Sequence, residues 1–159
     1  MYNLSMDVNK YEQLLNQKGL FAFVPTGISM WPTLKSGKHS VIIVKKQRRL
    51  RKMDVAFYKN KSGDRVVLHR VLQVKPKGYI TCGDSMTRTE FVLEEQVLGV
   101  MKGYYKGSKY VGCDYKGYKR KVTNWYKYQR IRNIRLKNFY FWQRVKNKLN
   151  RIFSRSEEK

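Results

Sequence analysis

The residues from Phe21 to Leu34 read FAFVPTGISMWPTL, an apolar run followed by a turn bounded by glycine and proline. Short apolar runs closed by turn-forming residues are typical of β-strands. A turn placed directly after such a strand can present a side chain on a rigid support. The side chain at the centre of this turn is the hydroxyl of Ser29.

The same alternation of short apolar runs and turns continues to about Val111. It predicts strands at Phe21–Val24, Val41–Val44, Val55–Tyr58, Val66–Val74, Tyr79–Cys82, Val97–Met101 and Tyr110–Val111. Ahead of them, Asp7 is expected to cap a short helix that ends at Gly19. The predicted fold class is mainly β, a compact antiparallel domain with a short N-terminal helix and a basic C-terminal amphipathic helix.

The C-terminal helix is predicted from a change of composition after Gly117. No Asp or Glu occurs between Asp114 and Glu157. Aromatic and aliphatic residues recur there at spacings of mostly three or four among Arg and Lys, which indicates one basic amphipathic helix or two in succession. The chain therefore divides into an N-terminal helix at 1–20, a β domain at 21–112 and a helical tail at 113–159.

The charge of the chain is strongly positive, +24 from 35 Lys and Arg against 11 Asp and Glu. Such a charge predicts attraction to phosphate, in anionic lipid or in nucleic acid. The membrane is the favoured partner, because no helix-turn-helix, RNA-recognition or zinc-finger signature is present. The residues expected to make this contact are aromatic and arginine residues of the tail: Trp125, Arg130, Arg132, Arg135, Phe141, Trp142 and Arg144.

The two cysteines, Cys82 and Cys113, lack the paired spacing of a zinc site and are too few for a disulfide framework. We expect no metal and no cofactor. No apolar run approaches the ~20 residues that span a bilayer, and the N-terminus lacks the basic start and apolar stretch of a secretory signal. The expected location is the cytoplasm or the cytoplasmic face of the membrane, as a peripheral protein.

A serine hydroxyl is a weak nucleophile at neutral pH and needs a base within hydrogen-bonding reach. The chain has two histidines. His39 lies in a predicted polar turn beside Lys38, whereas His69 lies within the half-buried strand VVLHRVL, so His69 is the better candidate. Taken alone, one serine and one histidine in a chain of this length are more often structural.

The segment Ser29-Met30-Trp31-Pro32-Thr33-Leu34 resembles the nucleophile box of type I signal peptidases and of the related serine peptidases that include the self-cleaving repressors. Four further segments resemble the same superfamily in the same order: 34–38, 53–58, 68–71 and 83–84, with 97–100 as a closing strand. The resemblance covers residues 26 to 111. A histidine base at His69 is similar to the endoplasmic-reticulum branch, whereas the bacterial enzymes use a lysine.

The resemblance implies roles for several residues. Ser29 is the expected nucleophile, His69 the general base, and Asp84 the carboxylate that orients the imidazole. Asp84 is alternatively a turn residue after Gly83, and Glu90 is an alternative third member. The oxyanion hole is assigned to the Ser29 backbone N–H and to Thr26, because the family's serine two residues before the nucleophile is Gly27 here.

The resulting hypothesis is a serine endopeptidase that cleaves a leader or precursor peptide through an acyl-enzyme on Ser29. Its substrate is a peptide or protein, received as a strand added beside Phe21–Val24. The alternative is a catalytically idle β module that binds anionic membrane or nucleic acid through its basic tail. A self-cleaving regulator ranks last, because only about twenty residues precede the β domain.

Overall fold

The computed structural model describes residues 7–128 and residue 131. It contains one antiparallel sheet of eight strands, two α-helices and a short 3₁₀ helix at Glu94–Gln96. Helix α1 covers Val8–Lys18, and α2 covers residues 116–128. The strands are β1 Leu20–Phe23, β2 His39–Lys45, β3 Val55–Lys59, β4 Val66–Lys75, β5 Gly78–Cys82, β6 Glu90–Leu93, β7 Val97–Lys106 and β8 Lys109–Gly112. The mainly β class predicted from the sequence is confirmed.

Helix α1 begins and ends where the sequence indicates. The Asp7 carboxylate accepts a hydrogen bond from Asn9 N–H at its start, and Gly19 adopts the left-handed conformation (φ 71°) at its end. The helix buries Val8, Tyr11 and Leu15. Tyr11 packs against Phe21 of β1 and Phe57 of β3, with ring centroids 5.2 and 5.4 Å away. The helix therefore covers one part of the sheet with an aromatic cluster.

The sheet runs in the order β1-β2-β7-β3-β4-β5-β6, with β8 paired to β7. The long strand β7 pairs with β2 over most of its length, and its other edge pairs first with β3 and then with β8. Alternating residues point inward on β2, where Val41 and Ile43 are fully buried. Strand β1 stands first and β6 last in this order, so each has one neighbour among the described strands.

A buried ion pair and its hydrogen bonds hold four separate segments together. Arg70 of β4 is 1% exposed and donates from Nε and Nη2 to the two Asp84 oxygens, at 2.7 and 2.6 Å. The Thr33 hydroxyl donates to Asp84 Oδ2, and Arg70 Nη1 donates to Met53 C=O at 3.0 Å. Burial alone would lower the pKa of Arg70, but the Asp84 carboxylate raises it, so the guanidinium stays charged.

The chain forms two compact units, Met1–Val122 and Thr123–Lys159. The predicted boundary after residue 112 coincides with the end of β8. The first unit extends further because Tyr118 and Val122 of α2 are buried in its core. Within the second unit, the Trp125 and Tyr128 rings lie 6.0 Å apart. The other predicted tail contacts, Arg130, Arg132, Arg135, Phe141, Trp142 and Arg144, lie outside the described residues.

Two segments differ from their predicted conformation. Strand β6 at Glu90–Leu93 was not expected, and it pairs with β5 from Thr81↔Glu90 to Gly78↔Leu93. His39 was expected in a polar turn, yet it begins β2 and is 4% exposed. Its ring stacks on Tyr104 with centroids 5.0 Å apart.

None of the helices within residues 7–128 has the length and apolar character needed to cross a bilayer.

The Arg70–Asp84 pair leads to a stability prediction. Asp84→Asn leaves a buried guanidinium without its counter-charge, and breaking a buried pair in this way costs about 3–5 kcal/mol of unfolding free energy. Urea unfolding followed by circular dichroism measures the loss. Asp114→Asn, which breaks the exposed Lys102–Asp114 pair, serves as the control and should change the midpoint little. Equal midpoints for both variants would contradict a stabilising role for the buried pair.

Candidate active site

The turn that carries Ser29 is closed by its own backbone. Trp31 N–H donates to Ile28 C=O at 3.0 Å, and Leu34 N–H donates to Met30 C=O at 2.8 Å. Met30 and Leu34 are 4% and 2% exposed and belong to the core cluster. The turn is therefore fixed from beneath by two buried apolar side chains, while Ser29 remains half-buried at its surface.

The loop after β5 holds the same turn from the side. Ser85 N–H donates to Ser29 C=O at 2.9 Å, and the Ser85 hydroxyl lies 3.0 Å from the carbonyl oxygens of Ile28 and Ser29. Gly83 packs so closely that a Cβ there would lie 2.6 Å from Ser29 O and 3.0 Å from Ser29 Cβ. Only glycine fits at this position without displacing the Ser29 backbone.

His69 projects from β4 with its ring largely buried. Its Nδ1 lies 2.8 Å from Glu90 Oε1, and the two side chains are 11% and 45% exposed. A carboxylate can only accept here, so this contact assigns the proton of the neutral imidazole to Nδ1. Nε2 is then left as the basic nitrogen of the ring.

Tyr58 supports this pair from within the core. Its hydroxyl donates to Glu90 Oε1 and lies 3.1 Å from His69 Nδ1 and 3.2 Å from Thr81 Oγ1. Burial, followed by the hydrogen bond to Glu90, raises the pKa of Tyr58 far above its ordinary value. The phenol therefore stays protonated and keeps donating to the carboxylate. Because its proton is directed at Glu90, the Thr81 hydroxyl is the donor between Thr81 and Tyr58.

Asp84 has a different position from the one implied by the family resemblance. Both of its oxygens accept hydrogen bonds from Arg70, and one also accepts from Thr33 of the nucleophile turn. The carboxylate on His69 Nδ1 belongs instead to Glu90, the alternative third member. Asp84 is thus in contact with the turn that carries Ser29, and Glu90 is in contact with the imidazole.

Ser29 and His69 line one cleft of about 620 Å³. One wall consists of residues 23–27 and the other of residues 64–69, and between them lie the apolar side chains of Tyr11, Leu34 and Phe57. Among the described residues the Ser29 hydroxyl makes no hydrogen bond. Hydrogen bonds between nucleophile and base are often long in ligand-free enzymes and shorten when substrate binds.

Thr26 and Ser29, the two residues assigned to the oxyanion hole, both line this cleft. Thr26 is exposed and lines the wall, and its carbonyl accepts a hydrogen bond from the Ser36 hydroxyl at 2.6 Å. The Ser29 backbone N–H has no acceptor among the described residues.

The remaining candidate groups have other partners. His39 Nδ1 accepts from Lys35 N–H at 3.3 Å, and burial, Lys106 and Lys35 lower the pKa of its ring. Burial raises the pKa of Cys82 and of Cys113 to about 11, so both thiols are protonated at neutral pH and neither is an activated nucleophile. No group of three or more potential metal ligands occurs within the described part of the chain.

Three contributors to the site were missed by sequence reasoning: Tyr58, Thr33 and Arg70. Arg70 directly follows His69, Thr33 lies inside the nucleophile segment, and Tyr58 ends the segment 53–58, so all three lie within the segments that resemble the peptidase family. Because side chains alternate along a strand, adjacent His69 and Arg70 are expected on opposite faces of β4. That alternation was the available signal for Arg70. Nothing in the sequence signals that Tyr58 meets Glu90.

Comparison with models of known protein families finds none that matches this chain, and comparison with curated proteins also finds no match. The resemblance of the Ser29 segment to signal peptidases therefore remains a prediction, and the geometry of the site carries the functional inference.

Proposed function

We propose that this protein is a serine endopeptidase with Ser29 as nucleophile, His69 as general base and Glu90 as the carboxylate that orients the base. The observation that carries the proposal is the hydrogen bond from His69 Nδ1 to Glu90 Oε1 at 2.8 Å, in a cleft that Ser29 also lines. Because Nδ1 carries the proton that is donated to Glu90, Nε2 is the nitrogen that can accept the Ser29 proton. General-base assistance of this kind typically contributes ~10²–10⁴-fold in rate.

The reaction would proceed in two steps. Ser29 Oγ attacks a peptide carbonyl while Nε2 takes its proton, and the oxyanion is stabilised by the Ser29 N–H and the Thr26 hydroxyl. His69 then returns the proton to the leaving amine, leaving an acyl-enzyme on Ser29. Water then attacks the ester carbonyl while Nε2 takes its proton, and Nε2 returns that proton to Ser29 Oγ as the carboxylic acid product is released.

The two cleft walls support a peptide as substrate. Strand β1 lies at one edge of the sheet, and its last residue, Phe23, begins the cleft wall at residues 23–27. On the other wall, residues 66–69 of β4 pair with β3, whereas pairing with β5 begins only at Arg70. Both walls therefore offer backbone that an extended peptide can pair with. A leader or precursor peptide is the proposed substrate class, with the chain located in the cytoplasm or peripherally on the cytoplasmic membrane face.

The first prediction concerns the nucleophile. The full chain should form a covalent adduct with an active-site fluorophosphonate or with a penem, which intact-mass spectrometry detects, and Ser29→Ala and His69→Ala should each abolish the adduct. Ser108→Ala, in the turn between β7 and β8, is the matched serine control and should label like the wild type. Failure of both reagents on folded protein would favour the idle binding module.

The second prediction separates Glu90 from Asp84. Glu90→Gln should lower the rate of Ser29 acylation by about 10²–10⁴-fold, because the amide no longer fixes the Nδ1 tautomer. Its urea midpoint should remain close to that of the wild type, since Glu90 is partly exposed. Asp84→Asn should primarily lower stability. If Glu90→Gln acylates at the wild-type rate, Glu90 is not the orienting carboxylate.

The third prediction concerns Tyr58. Tyr58→Phe removes the proton donor to Glu90 but keeps the buried ring, and we expect a loss of about tenfold in acylation rate. In proton NMR, the downfield Nδ1–H signal of His69 should shift in Tyr58→Phe and disappear in Glu90→Gln. An unchanged signal in Tyr58→Phe would show that the phenol does not act through this pair.

A further inference from the structure

The hydroxyl of Ser85 lies between the two peptide groups that flank Ser29. Its Oγ is 3.0 Å from the carbonyl oxygen of Ile28 and 3.0 Å from that of Ser29, and its proton bridges the two. The Ser85 backbone N–H also donates to the Ser29 C=O, at 2.9 Å. One residue thus contacts the peptide group before Ser29 and the one after it, so it restrains the backbone on both sides of the proposed nucleophile.

Ser85 is itself held in place from both sides. Met86 N–H donates to Gly83 C=O at 3.0 Å, which closes a turn around Asp84 and Ser85. The Asp84 side chain is buried and accepts from Arg70 with both oxygens, at 2.7 and 2.6 Å. The buried ion pair therefore anchors the residue next to Ser85. A group that is to orient a reacting site needs a rigid support of this kind.

The contact with Ile28 determines the direction of the Ser29 N–H. The Ile28 C=O and the Ser29 N–H belong to one planar trans peptide group, in which the two bonds point in opposite directions. Because the Ile28 carbonyl accepts from Ser85, the Ser29 N–H points away from the Ser85 hydroxyl. This N–H has no acceptor within the described part of the chain. It is also the backbone donor assigned above to the oxyanion.

We propose that Ser85 is a positioning residue for the oxyanion hole, which orients the Ser29 N–H by holding the Ile28–Ser29 peptide group. The inference rests on the proposed serine peptidase function. Removing an oxyanion donor outright typically costs ~10²–10³-fold in rate. The effect of losing Ser85 is smaller, because the donor remains and Trp31 N–H still donates to the Ile28 carbonyl, at 3.0 Å.

Acylation of Ser29 by a penem, followed by intact-mass spectrometry across a range of pH, tests this role in the full chain. Ser85→Ala should slow acylation by about 10- to 10²-fold at every pH. The midpoint of the pH profile should not move, because His69 and Glu90 keep their contacts. Ser85→Thr keeps the hydroxyl and should restore most of the rate.

The matched control is Ser40→Ala. Ser40 is a half-buried serine of β2 that does not line the cleft. This variant should be acylated at the wild-type rate, which separates the loss of the Ser85 hydroxyl from the loss of any half-buried serine hydroxyl.

Proton–nitrogen NMR of the acylated protein reports on the donor directly. The Ser29 amide proton should move downfield on acylation in the wild type and in Ser85→Thr, because it then donates to the acyl oxygen. The movement should be smaller in Ser85→Ala. A purely structural role for Ser85 would lower the urea midpoint and leave this shift unchanged, which would overturn the inference.

Two further outcomes are distinct from each other. Equal acylation rates for the wild type and Ser85→Ala would overturn the role of Ser85 and leave the peptidase proposal standing. Wild-type protein that reacts with neither the penem nor the fluorophosphonate would overturn the peptidase proposal, and the role of Ser85 with it, because no oxyanion would then form at Ser29.

Discussion

The buried Arg70–Asp84 ion pair is the interaction on which the arrangement of the site depends. A charged guanidinium that is 1% exposed requires a counter-charge, and Asp84 supplies it with both oxygens. Asp84 also accepts from Thr33, so the same carboxylate reaches the turn that carries Ser29. Because buried Arg70 needs this counter-charge, Asp84 holds the nucleophile turn against β4, the strand that carries His69.

A second constraint acts on the imidazole. Along β4, His69 and Arg70 are adjacent and point in opposite directions, which separates the imidazole from the ion pair. The partner of His69 therefore comes from β6, where Glu90 begins the strand. Tyr58 and Thr81 complete a polar cluster with assigned donors, and such clusters restrict the ring orientations that are available. Preorganisation of this kind is what the proposed peptidase mechanism requires of its base.

The strand predictions succeeded wherever alternation or a continuous apolar run was strong. On β2, β3 and β4 the apolar residues marked the strands to within about two residues, and Asp7 and Gly19 marked the ends of α1. Strand β6 was missed because EFVL is short and follows the polar segment SMTRT. It forms because β5 offers an open edge that pairs with Glu90–Leu93, a contact between separate segments that no local pattern encodes.

By itself, the sequence determined the class of fold, the helix caps, the presentation of a serine in a turn, and the excess of positive charge. These follow from local chemistry: periodicity, turn residues and composition. Only the tertiary structure decided which carboxylate meets which partner. Asp84 and Glu90 are six residues apart, and either could have reached His69. Buried Arg70 draws Asp84 into the core, and the β5–β6 pairing leaves Glu90 beside the imidazole.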